Sequence, residues 1–243
     1  MSNGLLASTA RMAADWLYPP VCMACGAATR HGQHVCWDCR SKLAWIKDEF
    51  CARCGDPISG MSGKAFVCSS CNDEAPDFEA ARSVARYVPP VDGLLCAFKY
   101  EQAVFLREEL AEWLYACVST HYGRVHFDGV AAVPLFPARE RERTYNQSAL
   151  LGQRVAARLK VPFEGRAVRR VRATRTQTRL TAAARRTNMA GAFAPVHPQW
   201  LRGRTLLLVD DVMTTGATVR QCARALKEGG AARVYVATVA RGV

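Results

Sequence analysis

Residues 206–220 read LLLVDDVMTTGATVR, and the fold turns on how they are parsed. Leu206 to Val209 have the length and composition of a buried strand. Two adjacent acids, Asp210 and Asp211, end it. Thr214-Thr215-Gly216-Ala217-Thr218 then open ATVRQCARALKEGG (217–230), whose periodicity is helical and which two glycines close. Strand, small-residue turn and helix in that order put both carboxylates at the carboxyl end of a strand, where open parallel sheets bind ligands. The turn directs backbone N–H groups, hydroxyls and a helix N-terminus at one place, a cradle for a monophosphate. Carboxylates just before the cradle meet whatever the phosphate carries. Vicinal sugar hydroxyls suit them, since each carboxylate accepts a hydrogen bond from one. The stretch therefore predicts a sugar phosphate, with its 5′-phosphate on residues 214–218 and its ribose hydroxyls on Asp210 and Asp211. G-x-x-x-x-G-K-[ST], G-x-G-x-x-G and H-E-x-x-H do not occur, so a P-loop, a dinucleotide fingerprint and a zincin site have no basis here.

The flanking sequence repeats the alternation. ARSVARYV (81–88), FDGVAAVPLF (127–136) and ARVYVATVA (232–240) read as strands. VFLREELAEWLYACV (104–118) and NQSALLGQRVAARLK (146–160) read as helices. Strands alternating with helices imply an α/β fold: a parallel sheet flanked by helices on both faces.

Before residue 79 the pattern is different. Of eleven cysteines, eight form four C-x-x-C knuckles: Cys22/Cys25, Cys36/Cys39, Cys51/Cys54 and Cys68/Cys71. Each knuckle offers two thiolates to one tetrahedral ion, so two knuckles complete a site. Sequential pairing gives two structural four-cysteine Zn2+ sites, one on Cys22, Cys25, Cys36 and Cys39, the other on Cys51, Cys54, Cys68 and Cys71. A cross-braced pairing fits the spacing equally. Gly26 and Gly55 follow their knuckles, where a ribbon turn calls for positive φ. His31 and His34 are surplus to four thiolates. Cys96, Cys117 and Cys222 lie outside any metal spacing and are expected as buried free thiols. The expected organisation is an N-terminal helix and double zinc ribbon over 1–78, then a second domain over 79–243. The helix is drawn from Leu5, Leu6, Met12, Ala13, Trp16 and Leu17. Arg11 and Asp15 interrupt that stretch, so it does not read as a signal peptide. No apolar run reaches the length of a membrane span. With reduced, metal-spaced cysteines, this leads to the expectation of a cytoplasmic protein.

Half of the 243 residues are apolar, enough for one sizeable core, and the net charge is +12. That charge is concentrated: residues 139–186 hold 14 basic side chains against 3 acidic ones, whereas residues 1–81 hold 7 against 9. A basic excess of this size suits a polyanion, either a phosphorylated small molecule or nucleic acid. Few aromatics interleave with it (Tyr145, Phe163, Phe193), so a dedicated base-stacking platform is not evident.

LLLVDDVMTTGAT is similar to the phosphoribosyl diphosphate (PRPP) signature of type I phosphoribosyltransferases. VPLFPARERERTYNQSALL (133–151) and TRTQTRLTAAARRTNMAGAF (174–193) resemble segments of the ComF family, GntX-like members included. That family also begins with a helix, P-P-x-C-x-x-C and a double zinc ribbon, so the resemblance spans essentially the whole chain. One departure is Thr144, where the family usually has glycine before the aromatic-Asn-Gln. The resemblance implies a type I phosphoribosyltransferase fold, PRPP and Mg2+ as ligands, and Mg2+-dependent phosphoribosyl transfer to an unknown acceptor. It also implies a link to DNA uptake in natural transformation, with single-stranded DNA or DNA-uptake proteins as partners. Under it, Asp210 and Asp211 bind the ribose and Thr214, Thr215, Gly216, Ala217 and Thr218 the 5′-phosphate. Arg139 and Arg143 face the diphosphate, and Lys99 of the family's Lys-Tyr pair reaches it. Gln177, Arg185 and Asn188 belong to a lid over 172–190. The alternative is a non-catalytic PRPP-sensing or single-stranded-DNA-handling accessory that keeps the fold without turnover.

Overall fold

The computed structural model describes residues 20–47, 49–58, 66–172 and 191–242. The expected N-terminal helix lies outside them. Their centre is a five-stranded parallel sheet in the order β1-β7-β6-β2-β3. Its strands are β1 (Ala80–Arg86), β2 (Gly129–Ala132), β3 (Phe163–Glu164), β6 (Thr205–Met213) and β7 (Arg233–Arg241). A short antiparallel pair, β4 (Val168–Arg170) with β5 (Phe193–Pro195), forms a second sheet.

The apolar run Leu206–Val209 is the buried middle of that sheet. β6 pairs with β7 on one side and β2 on the other, with Leu207 opposite both Val130 and Tyr235. Successive residues point to opposite faces. Leu207 and Val209 join one core cluster, whereas Leu206 and Leu208 join another. A strand buried on both sides needs apolar residues at every position, which is why it reads as a continuous run.

Helices cover both faces. Short helices α1 (Trp37–Ser41) and α2 (Ser69–Asp73) lie in the cysteine-rich segment, and α7 (Pro198–Leu201) precedes β6. α3 (Val91–Tyr100), α4 (Arg107–Tyr122) and α6 (Gln147–Leu159) pack in the first cluster, and α8 (Ala217–Glu228) packs in the second. The chain leaves β2 through α6 toward the β3 edge, and leaves β6 through α8 toward β7. Neighbouring strands β2 and β6 thus send their connections in opposite directions and over opposite faces. Such a switch point opens a crevice at the strands' carboxyl ends.

The cysteine-rich segment closes the β1 edge. Ile46 donates its amide to Val84 O at 3.0 Å, Arg86 to Ala44 O at 2.9 Å and Ala81 to Arg53 O at 2.7 Å. Gly55 (φ 67°) is held so close that a Cβ would stand 2.3 Å from Ala81 O. Cys22, Val35, Cys39 and Leu43 enter the first core cluster, and Cys51, Cys54, Cys71 and Phe78 the second. An edge strand's unpaired backbone groups are satisfied here by ribbon backbone.

The knuckle spacing pairs sequentially. Two clusters form, Cys22/Cys25/Cys36/Cys39 and Cys51/Cys54/Cys68/Cys71, each with its sulfurs within 4.8 Å of one another. The cross-braced alternative is not what is found. Gly26 and Gly55 have the expected positive φ, 74° and 67°. Of the three remaining cysteines only Cys222 is buried. Cys117 is half-buried and Cys96 is exposed on α3, which corrects the expectation for both. No helix among the described residues is long and apolar enough to cross a membrane.

Candidate functional site

The crevice between β2 and β6 is a cleft of about 390 Å³. Its floor is the end of β6. Asp210 and Asp211 are both buried to 9% exposure, yet both line the cleft. Asp210 Oδ1 accepts two hydrogen bonds, from Ser148 Oγ at 2.8 Å and from the Asp211 amide at 2.9 Å. Burial, and then the charge of Asp211, push the Asp210 pKa from 3.8 up to about 7. Asp211 is compensated instead: Lys99 Nζ, on the last turn of α3, lies 3.0 Å from its Oδ1.

One wall is the turn into α8. Met213 ends the strand, Thr214 is exposed, and Gly216 adopts φ 76° as the residue that starts the helix. A Cβ at Gly216 would stand 2.6 Å from Met213 Cε. The left-handed conformation is cheap for glycine alone, and it aims the following amides of α8 into the cleft. Thr214 to Thr218 all line it.

The opposite wall comes from the β2 end. Pro134, Leu135 and Phe136 lead into α5 (Pro137–Arg143), which presents Arg139 and Arg143 to the cleft. Arg143 is held at the mouth. Its Nη2 donates to Tyr100 Oη at 2.9 Å, its Nη1 to Gln147 Oε1 at 3.2 Å, and it lies 4.7 Å from the centre of the Tyr100 ring. Asn146 fixes the entry to α6, accepting the Ala149 amide at 3.3 Å while its Nδ2 donates to Val133 O at 3.0 Å. That double use of one amide side chain ties the start of α6 to the end of β2.

The expected Lys99, Arg139, Arg143, Asp210, Asp211 and residues 214–218 thus meet in one cleft. Gln177, Arg185 and Asn188 lie outside the described residues. Sequence reading missed Ser148, which holds Asp210, and also Tyr87, Tyr100 and Arg170 on the walls. Desolvation and then the charge of nearby Arg139 hold the Arg170 pKa below its ordinary value. Two guanidiniums that repel each other across a cleft mark a place where an anion is favoured. Ser148 could have been picked out as the hydroxyl beside Asn146-Gln147; Arg170, on a three-residue strand, carries no local signal.

The two sulfur clusters fit zinc. The Cys25–Cys36 and Cys54–Cys68 Sγ distances are both 3.7 Å. Tetrahedral Zn–S bonds of about 2.3 Å require sulfurs about 3.8 Å apart. Amides of Cys36 and Cys68 donate to Cys22 Sγ and Cys51 Sγ at 3.3 Å, which favours the thiolate form.

Comparison with known proteins agrees with this architecture. Residues 13–72 match the double zinc ribbon domain and residues 146–242 the phosphoribosyl transferase domain. DNA utilization protein YhgH of Salmonella typhimurium is 35% identical over 221 residues, covering 83% of this chain and 94% of its own length. Competence protein F of Haemophilus influenzae is 31% identical over 221 residues, covering 85% and 96%. Competence protein ComFC of Bacillus subtilis is 28% identical over 206 residues, covering 82% and 80%.

Proposed function

The chain belongs to the ComF family, a double zinc ribbon joined to a phosphoribosyltransferase domain, and from that premise we propose that it binds PRPP with Mg2+ and transfers the phosphoribosyl group. The observation that carries this reading is the convergence of Asp210 and Asp211, the Gly216 turn and Arg139/Arg143 on one cleft. The ribose hydroxyls donate to Asp210 and Asp211. The 5′-phosphate takes the amides and hydroxyls of residues 214–218 at the start of α8. The diphosphate faces Arg139, Arg143 and Lys99, whose charges oppose it. Carboxylate oxygens beside a diphosphate are the hard donors that Mg2+ prefers, so the acid pair suits that ion. When bound, Mg2+ neutralises charge on the leaving diphosphate.

In the reaction, the bond from the anomeric carbon to diphosphate breaks, the acceptor bonds to that carbon, and the acceptor gives up a proton. Positive charge builds on the ribose, and negative charge on the departing oxygens. The chain's part is to hold the sugar on its acids, to stabilise the departing charge with its arginines and to keep water out. Lys99 sits on Asp211 and must share it with, or yield it to, the incoming ribose; it then becomes a cation within reach of the diphosphate. Gln177, Arg185 and Asn188 are proposed as the working residues of a lid over 172–190.

A link to DNA uptake is proposed from the names of the relatives, "DNA utilization" and "competence", together with the basic excess over 139–186. It supports a second reading, a PRPP-sensing or single-stranded-DNA-handling accessory. The grouping of eight cysteines into two metal-ligand sets, not disulfides of a secreted framework, supports a cytoplasmic site of action.

Calorimetric titration of the zinc-loaded protein with PRPP and Mg2+ tests the reading. The wild type is expected to bind in the micromolar range, and Asp211→Asn to bind at least about tenfold more weakly, since one charged hydrogen bond is lost. DNA affinity and its salt dependence should be unchanged in the same variant. Binding equal in both proteins would remove Asp211 from the site.

A further inference from the structure

The charged stripe of α8 runs along the second ribbon. Arg220, Arg224 and Lys227 recur at steps of four and three, on one helix face. Arg220 Nη2 donates to Cys71 Sγ at 3.4 Å and Nη1 to Glu74 O at 2.8 Å. Arg224 Nε reaches Asp77 Oδ2 at 3.0 Å, and Lys227 Nζ reaches Glu79 Oε1 at 3.2 Å. The stripe begins one turn into the helix: the Arg220 amide bonds Gly216 O at 2.9 Å. The residue that touches a zinc ligand is therefore built into the phosphate turn.

A second link enters from β7. Arg241, 6% exposed, donates from Nε to Asp56 Oδ1 at 3.0 Å, two residues after the knuckle cysteine Cys54. The next amide, Gly242, donates to Met213 O at 2.9 Å. Gly242 packs so tightly on the turn that a Cβ would stand 2.7 Å from Thr214 Cγ2. Cys54 and Cys71 also share a buried cluster with Ala217 and Val219 of the cradle helix.

Charge gives these contacts a purpose. Four thiolates on one Zn2+ carry a net charge of roughly −2 in a largely buried place. Such a charge must be paired. Arg220 touches Cys71, and Arg241 is held beside the Cys51/Cys54 knuckle through Asp56. The first site is tied elsewhere, by the His34 amide on Glu109 Oε2 at 2.9 Å, to α4, which lines no part of the cleft.

We propose that the second four-cysteine site and the phosphate cradle are one coupled unit, in which zinc on Cys51, Cys54, Cys68 and Cys71 and an anion on residues 214–218 raise each other's affinity through Arg220 and Arg241. Arg220 is a positioning residue. With zinc bound, the thiolate draws it onto the ribbon and fixes the first turn of α8, so the cradle amides point into the cleft before the ligand arrives. Without zinc the segment carrying Cys71 and Glu74 is no longer held by the metal, Arg220 loses the fixed partners it meets there, and ordering that turn is left to the ligand. Coupling between two binding sites is reciprocal, so an anion in the cradle must retain zinc at the second site and not at the first. The proposal rests on residues 214–218 being a phosphate site.

The test is a chelator challenge of the zinc-loaded full chain. Release from the two sites is followed separately, each assigned by a cysteine-to-histidine variant that speeds one of them. Arg220→Gln keeps every ligand and is expected to speed release from the second site about tenfold, leaving the first unchanged. Arg220→Lys should restore part of the retention. Without ligand, amide hydrogen exchange over 214–220 should quicken in Arg220→Gln and on loss of the second zinc, and not on loss of the first. PRPP should slow release from the second site alone, and Arg220→Gln should abolish that protection. Equal release in wild type and Arg220→Gln, equal acceleration at both sites, or unchanged exchange over 214–220 would overturn the coupling. So would PRPP that calorimetry shows to be bound but that leaves second-site release unchanged. If calorimetry shows no PRPP binding, the phosphate-site reading fails by itself, and the ligand-free arms decide whether ribbon and turn are coupled.

Discussion

Asp210 holds its place by giving one oxygen to two donors, the Ser148 hydroxyl and the Asp211 amide, while burial and the Asp211 charge raise its pKa to about 7. A carboxyl whose pKa rises on folding binds its proton more tightly in the folded chain than in the unfolded one. Ionising it therefore costs stability as pH climbs from about 4 to about 7, and the cost is complete above that. Replacing it by the neutral isostere removes this cost. Asp210→Asn is expected to raise the melting temperature at pH 8 by several degrees, a gain of about 1–3 kcal/mol, and to leave it nearly unchanged at pH 4. Thermal unfolding of both proteins at the two pH values measures this. A loss at pH 8 would mean that the ionised carboxylate is already compensated in the folded chain. The gain should come with weaker PRPP binding, since a buried, costly charge at the end of a strand is a fold's usual concession to a ligand.

The turn between α5 and α6 shows how an element can be set by one residue's backbone. Thr144 takes φ 68° and ψ −14°, and its hydroxyl donates to Arg143 O at 2.6 Å. The left-handed region costs a β-branched residue about 1–2 kcal/mol, a cost that glycine does not carry. Glycine would remove that cost but add about 0.5–1 kcal/mol of unfolded-chain entropy. Thr144→Gly should therefore change stability by less than about 1 kcal/mol. Thr144→Val keeps the branch, loses the hydroxyl bond, and should cost about 1–2 kcal/mol in denaturant unfolding. A Thr144→Gly variant destabilised by the full entropic cost would show that the turn is not strained, and a Thr144→Val variant as stable as the wild type would show that the hydroxyl bond contributes nothing. Much at this scale was legible. β6, β7, α4, α6 and α8 fall where period and apolar content put them, because each buries a continuous stripe. α5 was not legible, since none of its residues is buried and it has no apolar period to detect. α3 was missed for a different reason: it follows two prolines and carries Gly93 in its first turn, so local signals pointed to a loop while tertiary packing of Leu94, Leu95 and Phe98 decided. The site divides in the same way. The acids and the cradle lie in one local motif, whereas the Lys99–Asp211 pair and the Ser148–Asp210 bond join residues distant in sequence, which no spacing rule can reveal.

At the scale of the molecule, the ribbons bear on the sheet's integrity. β1 is an edge strand whose outer side is bonded to Ala44, Ile46 and Arg53, not to water. Cys51, Cys54, Cys71 and Phe78 belong to the same buried cluster as Leu206, Leu208, Val234 and Val236 of the central strands. Cutting the chain at 78 would expose that apolar surface, strip the β1 edge of its partners, and leave Arg220, Arg224 and Arg241 without the groups they meet. Each unpartnered buried cation or edge amide costs on the order of 1–3 kcal/mol, and a domain has only about 5–15 kcal/mol to lose. The fragment 79–243 is therefore expected not to fold: its circular dichroism should lack a cooperative thermal transition and its amide spectrum should be poorly dispersed. In the full chain, stripping both zinc ions should lower one common transition, seen alike by tryptophan fluorescence and by the far-ultraviolet signal of the sheet. A fragment that melts cooperatively and still binds PRPP, or a chelated chain whose sheet melts at the zinc-loaded temperature, would make the ribbons an independent unit. The first of those results would also leave the cradle able to form without Cys71, which separates the phosphate site from the metal site altogether.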